Sequence, residues 1–381
     1  MLRAALLSAA LVLTSAGCAG TATYTSQDLA LLPCEIDVPR FFQPLEFDAD
    51  GRMVLADQEA RLAERLGRRP QDVLVFIHGW NKTAFVAERE YQDFLCRFHG
   101  RLREAEGRAA VRPDRILIIG VFWPSTLNAR HPDPLIAKWI TYFPVRRRAD
   151  RLAETGFVML MKQLTTAFSA QAARGTRPRL HLVGHSFGGR IIVKGMRAFI
   201  RQEGGDVTPA HDLVRAVERL NFVMLNAAVG REDFNPLEAF ADREKVAQTQ
   251  QQREELLSAV QSQKAPVTAA TAATIYSGFT FNVYSDHDVA NKYLFPLASL
   301  FTDDDARCAI GACGLGDDYK VIKVTPSGHL SEKPETTLQP GQRVAWNIDA
   351  STIVFEHSDI YKGRVATVLF ELLHESAALR R

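Results

Sequence analysis

The chain has 381 residues, of which 46% are hydrophobic and 24% charged, and its formal net charge is +2. That composition suits a globular protein with a large core, built as one large domain with insertions or as two small ones. The near-neutral charge gives no footprint for nucleic acid, and there is no Walker-type lysine motif, no Cys-x-x-Cys pair, no His-Glu-x-x-His and no internal repeat.

The amino terminus, MLRAALLSAALVLTSAGCAG, places Arg3 before an apolar stretch from Ala4 to Leu13 and ends in small residues at Cys18. This is the pattern of a secretory signal, too short to span a bilayer. Its Ser-Ala-Gly-Cys ending resembles a bacterial lipobox, with Ser15 standing where an aliphatic residue is usual. The resemblance implies a signal peptide over residues 1–17, lipidation of Cys18 and a tether over 18–34. Ala19 and Gly20 lack the aspartate that commonly retains such lipoproteins at the inner membrane, which implies an outer-membrane lipoprotein facing the periplasm.

Cysteine usage agrees with export. With Cys18 assigned to lipid, Cys34, Cys96, Cys308 and Cys313 allow three pairings. The short loop CAIGAC favours Cys308 with Cys313, which leaves Cys34 with Cys96; buried free thiols are the plainer alternative.

The folded domain is expected over residues 35–381. DVLVFIHGWN (Asp72 to Asn81) reads as a buried strand that breaks at His78-Gly79, followed by an amphipathic helix from Ala84 to Glu106. RILIIGVFWPS (Arg115 to Ser125) is a second buried strand, and Asp150 to Ala173 a helix. A short strand around Leu180 to Val183 leads into a helix through Phe199. Further strands are expected at Asn221–Val229, Phe279–Ser285 and Tyr319–Thr325, and a last helix from about Asp359 to Leu379. Apolar strands alternating with helices predict an α/β fold with a mostly parallel sheet covered on both faces. Two stretches break the alternation: Thr126 to Arg148, proline-broken yet aromatic, and a polar segment within 232–274. Both leave carboxyl ends of strands, where ligands bind in such sheets, so they are candidate caps; a solvated surface helix is the simpler account of the second.

The chemistry concentrates in LHLVGHSFGG, Leu180 to Gly189. Gly184 and Gly188 flank Ser186 two residues away on each side, at a strand-to-helix junction. A sharp turn there needs flanking residues without side chains, and it pushes the serine hydroxyl out at a helix amino terminus. Ser186 is therefore the candidate nucleophile. A serine near neutral pH needs a base, and the base needs an orienting carboxylate.

In this architecture the chain order is serine, acid, histidine, which discards His78, His99, His131, His181 and His185 as the base. His357 is favoured because it lies in the loop before the last helix, where Ser358 or Asp359 can cap. His329, in TPSGHLSEKPE, is its rival. The acid is expected on the turn after FTFNVYS, at Asp288 rather than Asp286; Asp233, after the preceding strand, is a third candidate. Two backbone N–H groups must meet the oxyanion: Phe187, after the nucleophile, and Trp80, after His78-Gly79.

FIHGWN, FWPS, GHSFGG, YSDHD and NIDAS with HSDI occur in the order found in the α/β-hydrolase superfamily. The set most resembles bacterial serine hydrolases with lipase-like signatures, and it covers roughly Asp72 to the carboxyl terminus. The resemblance implies an α/β-hydrolase fold with cap-like insertions, and NIDAS just before His357 favours that residue over His329. The expected activity is hydrolysis of carboxylic esters, small-molecule or lipid. An acyltransferase or peptidase on the same residues and a non-catalytic envelope binding module are the alternatives. No cofactor and no metal are expected: the acidic loop DDDARCAIGACGLGDD has carboxylates for Ca²⁺, but a solvated, disulfide-closed loop accounts for it.

Overall fold

The computed structural model describes residues 41–104, 115–127, 135–200, 208–231, 233–234, 278–296, 308–316, 319–334 and 343–378. The signal, Cys18, the tether, Cys34 and most of the 232–274 segment lie outside them.

In chain order the elements are β1 (Phe42–Glu46), α1 (Gln58–Gly67), β2 (Asp72–Ile77), α2 (Ala84–Glu104), β3 (Ile116–Phe122), α3 (Leu135–Leu152), α4 (Val158–Ala172), β4 (Arg179–His185), α5 (Phe187–Ile200), α6 (Thr208–Ala216), β5 (Arg219–Leu225), β6 (Gly278–Tyr284), β7 (Val321–Lys323), β8 (Arg343–Asp349) and α7 (Gly363–Ala378). The described strands form one eight-stranded sheet in the order β1-β3-β2-β4-β5-β6-β8-β7. Every neighbouring pair is parallel. The protein is thus of the α/β class, with helices packed on the sheet, while the strand order is not the standard α/β-hydrolase order.

Strands β2 to β5 are buried along their whole length, because helices cover both faces. On one face Leu62 of α1 and the inner sides of α3, α4 and α5 meet Val73, Val75, Leu180 and Leu182. On the other, Tyr91, Phe94 and Phe98 of α2 and Val365, Leu369 and Leu372 of α7 meet Leu74, Phe76, Val183 and Phe281.

Several expectations are corrected. The helix expected from Asp150 begins at Leu135 and continues through a π-helical stretch, Ala153–Phe157, into α4. Much of the Thr126–Arg148 stretch is therefore helix: Pro144 removes only one backbone donor, and burial of Tyr142, Val145 and Ala149 holds the element in place. Strands β1 and β8 were not legible. β1 interleaves Gln43, Pro44 and Glu46 with its apolar residues, and Pro44 is tolerated because β1 pairs on one side only among the described strands.

Cys308 and Cys313 are disulfide-bonded, as the short loop suggested, and Cys96 is disulfide-bonded too. Among the described residues no helix is long and apolar enough to cross a membrane.

Candidate active site

Ser186 sits between the end of β4 and the start of α5 with φ of 53°, the left-handed region that costs a residue with a side chain. Its amide is tied to the Leu225 carbonyl at 3.0 Å, and its own carbonyl accepts from Ala228 N–H at 3.1 Å. The flanking glycines are required by contact. A Cβ at Gly188 would lie 2.1 Å from the Ile77 carbonyl oxygen, and one at Gly184 would lie 2.5 Å from the Gly189 nitrogen. Gly79 is equally constrained, since a Cβ there would stand 2.8 Å from that of Ser186. The turn after β2 and the serine turn are thus in van der Waals contact.

His357 reaches Ser186 from the loop between β8 and α7, with Nε2 2.7 Å from the serine Oγ. On its other side Nδ1 lies 2.8 Å from Asp288 Oδ2. A carboxylate only accepts, so the proton resides on Nδ1, and Nε2 presents a lone pair to the serine hydroxyl. Asp288 is fully buried, whereas Asp286 is exposed with its amide on Ser351 Oγ.

Asn291, absent from the sequence analysis, supports Asp288. Its backbone N–H donates to Asp288 Oδ1 at 3.0 Å and its side-chain amide to Oδ2 at 2.9 Å. The same amide also reaches the Asn226 carbonyl at 2.6 Å, which fastens the Asp288 turn to the end of β5. An Asp followed three residues later by Asn at a helix start was the available signal. The disulfide loop lies behind this turn: Gly311 accepts from Ser285 N–H at 3.2 Å and donates to the Ala227 carbonyl at 3.1 Å.

The rival residues stand elsewhere. His329 is half exposed and pairs with Glu371 of α7 at 2.5 Å. Asp233 pairs with Arg197 at 2.8 Å. Asp359 turns back rather than capping forward, accepting from Phe355 and Glu356 N–H at 3.0 and 3.1 Å and so shaping the His357 loop.

The backbone N–H groups of Trp80 and Phe187 are donated to nothing among the described residues, whereas that of Asn81 is spent on the Ser125 carbonyl at 2.8 Å. Trp80, Phe187 and Tyr142 form an aromatic wall: Trp80 stacks on Phe187 at 6.0 Å and meets Tyr142 edge-on at 5.5 Å. Tyr142 comes from α3, so the element misread in sequence supplies part of the wall.

Three buried polar groups brace the region. Tyr91 of α2 donates to the Phe76 carbonyl at 2.8 Å and accepts from His78 N–H at 3.1 Å, pinning the end of β2. His78 Nδ1–H donates to the Gly79 carbonyl at 2.9 Å while Nε2 accepts from Trp123 N–H at 3.3 Å, a neutral imidazole. Burial lowers its pKa to about 4. Lys82 is buried, pairs with Glu90, and donates to Ser358 Oγ at 3.2 Å beside His357.

Among the described residues no group of three or more His, Cys, Asp or Glu side chains is placed to hold a metal ion. The architecture and side chains define an α/β protein with a hydrogen-bonded serine, histidine and aspartate at the carboxyl end of its sheet. No protein-family model matches the chain, and no curated protein matches it.

Proposed function

We propose that the protein is a serine-dependent carboxylic-ester hydrolase on a variant of the α/β-hydrolase fold, exported and held to a membrane by lipid on Cys18. The observation that carries this reading is the hydrogen-bonded line from Asp288 through His357 to Ser186. Its members come from three turns that follow β4, β6 and β8, at the end of a parallel sheet where ligands bind.

In the proposed cycle His357 Nε2 takes the Ser186 proton as Oγ attacks the ester carbonyl. Asp288 holds the imidazole in its Nδ1–H tautomer and stabilises the imidazolium. The negative charge on the former carbonyl oxygen is met by the Trp80 and Phe187 N–H groups, which are not committed to other acceptors among the described residues. The imidazolium then gives its proton to the leaving alcohol, and an acyl-serine forms. Water repeats the sequence: His357 takes its proton, the new tetrahedral adduct collapses, and Ser186 regains its hydrogen as the acid departs. The cycle calls for no cofactor.

A fluorophosphonate probe should label the protein at Ser186, and Ser186→Ala should lose both the label and hydrolysis across a series of aryl esters of graded acyl length. A folded wild type that neither labels nor turns over any member of the series would make the protein a non-catalytic binding module.

A further inference from the structure

Two groups of the proposed cycle stand on segments that the sheet does not bring together. The Trp80 N–H belongs to the turn after β2, and His357 to the loop after β8. Strands β4, β5 and β6 lie between those two, which puts them roughly 20 Å apart at the usual interstrand spacing. No ladder of strand hydrogen bonds therefore fixes the turn against the loop; contacts above the sheet must do so. The distance matters because donor and base have to serve the same tetrahedral carbon, and a misplacement of about 1 Å can cost roughly a hundredfold.

Lys82 spans the two. Its backbone N–H donates to Ser125 Oγ at 3.0 Å and its carbonyl accepts from the same hydroxyl at 2.9 Å, which ties the Trp80 turn to the segment after β3. From that fixed point the side chain passes over the Tyr361 ring, with Nζ 5.4 Å from its centroid. It then donates to Ser358 Oγ at 3.2 Å, 276 residues along the chain and next to His357. A lysine on a turn can leave its ammonium in water. Here the residue is only 8% exposed, and Glu90 of α2 pairs with the same Nζ, so the long side chain is held at both ends.

The Tyr361 ring beneath the ammonium belongs to the same loop: its hydroxyl donates to His185 Nδ1 at 3.3 Å, and His185 in turn holds the His357 carbonyl. We propose that Lys82 is a positioning residue, acting through Ser358 to hold the His357 loop at a set distance from the Trp80 and Phe187 N–H groups. The inference rests on the ester-hydrolase reading, since it is that reaction which needs the distance.

The test measures turnover of one aryl ester, the affinity of a trifluoromethyl ketone that adds to Ser186 as an oxyanion, and the melting temperature. Ser358→Ala removes the acceptor and leaves the Lys82–Glu90 pair in place. It should lower kcat by roughly three- to tenfold, the worth of one ordinary hydrogen bond, with KM and melting temperature little changed. Ser358→Thr, which keeps the hydroxyl, should recover most of the loss. Lys82→Met, combined with Glu90→Gln so that no buried carboxylate is left unpaired, should cost at least as much. Adding Ser358→Ala to that pair should cost nothing further, because both changes break one link. Ketone affinity should fall by the same factor as kcat/KM. Wild-type kcat in Ser358→Ala, additive losses, or losses that follow melting temperature while ketone affinity is kept would overturn the proposal and leave Lys82 a packing residue. A folded wild type that neither hydrolyses the ester nor binds the ketone would instead sink the ester-hydrolase reading, and the positioning role with it; an active wild type with unaffected variants sinks the role alone.

Discussion

His185 donates its Nε2–H to the carbonyl oxygen of His357 at 2.9 Å, so the residue before the candidate nucleophile holds the backbone of the candidate base. Its Nδ1 accepts from the Tyr361 hydroxyl at 3.3 Å, so the ring must stay neutral. Burial, with repulsion from His357 and Lys82, keeps its pKa well below that of a free histidine.

On the proposed mechanism His185 is a positioning residue for His357. His185→Leu should lower kcat by roughly ten- to a hundredfold with KM little changed, because what is lost is alignment of the base in the transition state. His185→Gln, which keeps a donor toward His357, should recover part of the loss. Equal stability losses in both variants with unchanged kcat would reduce the residue to core packing.

For the proposed base, His357→Ala should cost several orders of magnitude in kcat. His329→Ala removes only the exposed contact with Glu371 and should leave turnover within about tenfold of wild type. Steady-state kinetics on one aryl ester decides between them, and the reverse ranking would reassign the histidine.

The proposed acid yields a graded series. Asp288→Asn should be far more damaging than Asp286→Asn, because an amide cannot stabilise the imidazolium. Asn291→Leu should fall between them: Asp288 keeps its charge but loses the amide at 2.9 Å that orients it. A loss in Asn291→Leu confined to thermal stability would count against that orienting role.

Stability should fall on mild acidification. His78 has its folded pKa lowered to about 4, and His181 and His185 are lowered as well, all chiefly by burial. Between about pH 6.5 and 4 the unfolded chain therefore binds more protons than the folded one, and stability drops as pH falls through this window. His78 alone accounts for about 3 kcal/mol across it. Denaturant melts at pH 7.5 and 5 check this: a midpoint that does not decline would show that these rings are not neutral in the folded protein.

The sequence by itself determined the local features. Gly184, Ser186 and Gly188 announce the turn because its steric demands fall within a few residues, and the apolar runs of β2, β3 and β4 announce a sheet covered on both faces. The order of turns along the chain narrowed the candidates, spacing after FTFNVYS favoured Asp288 over Asp286, and the resemblance of NIDAS favoured His357 over His329. Only the tertiary structure decided how those turns meet. Strand β8, which reads as no strand in RVAWNID, pairs with β6 in a register that sets Tyr284 beside Asp349. That register brings the His357 loop over Asp288 and leaves His329 on the surface against α7. Likewise Asn291 and His185 acquire their roles from partners 65 and 172 residues distant. Strand order and register are selected by burial and hydrogen bonding between distant segments, so no local window of residues encodes them.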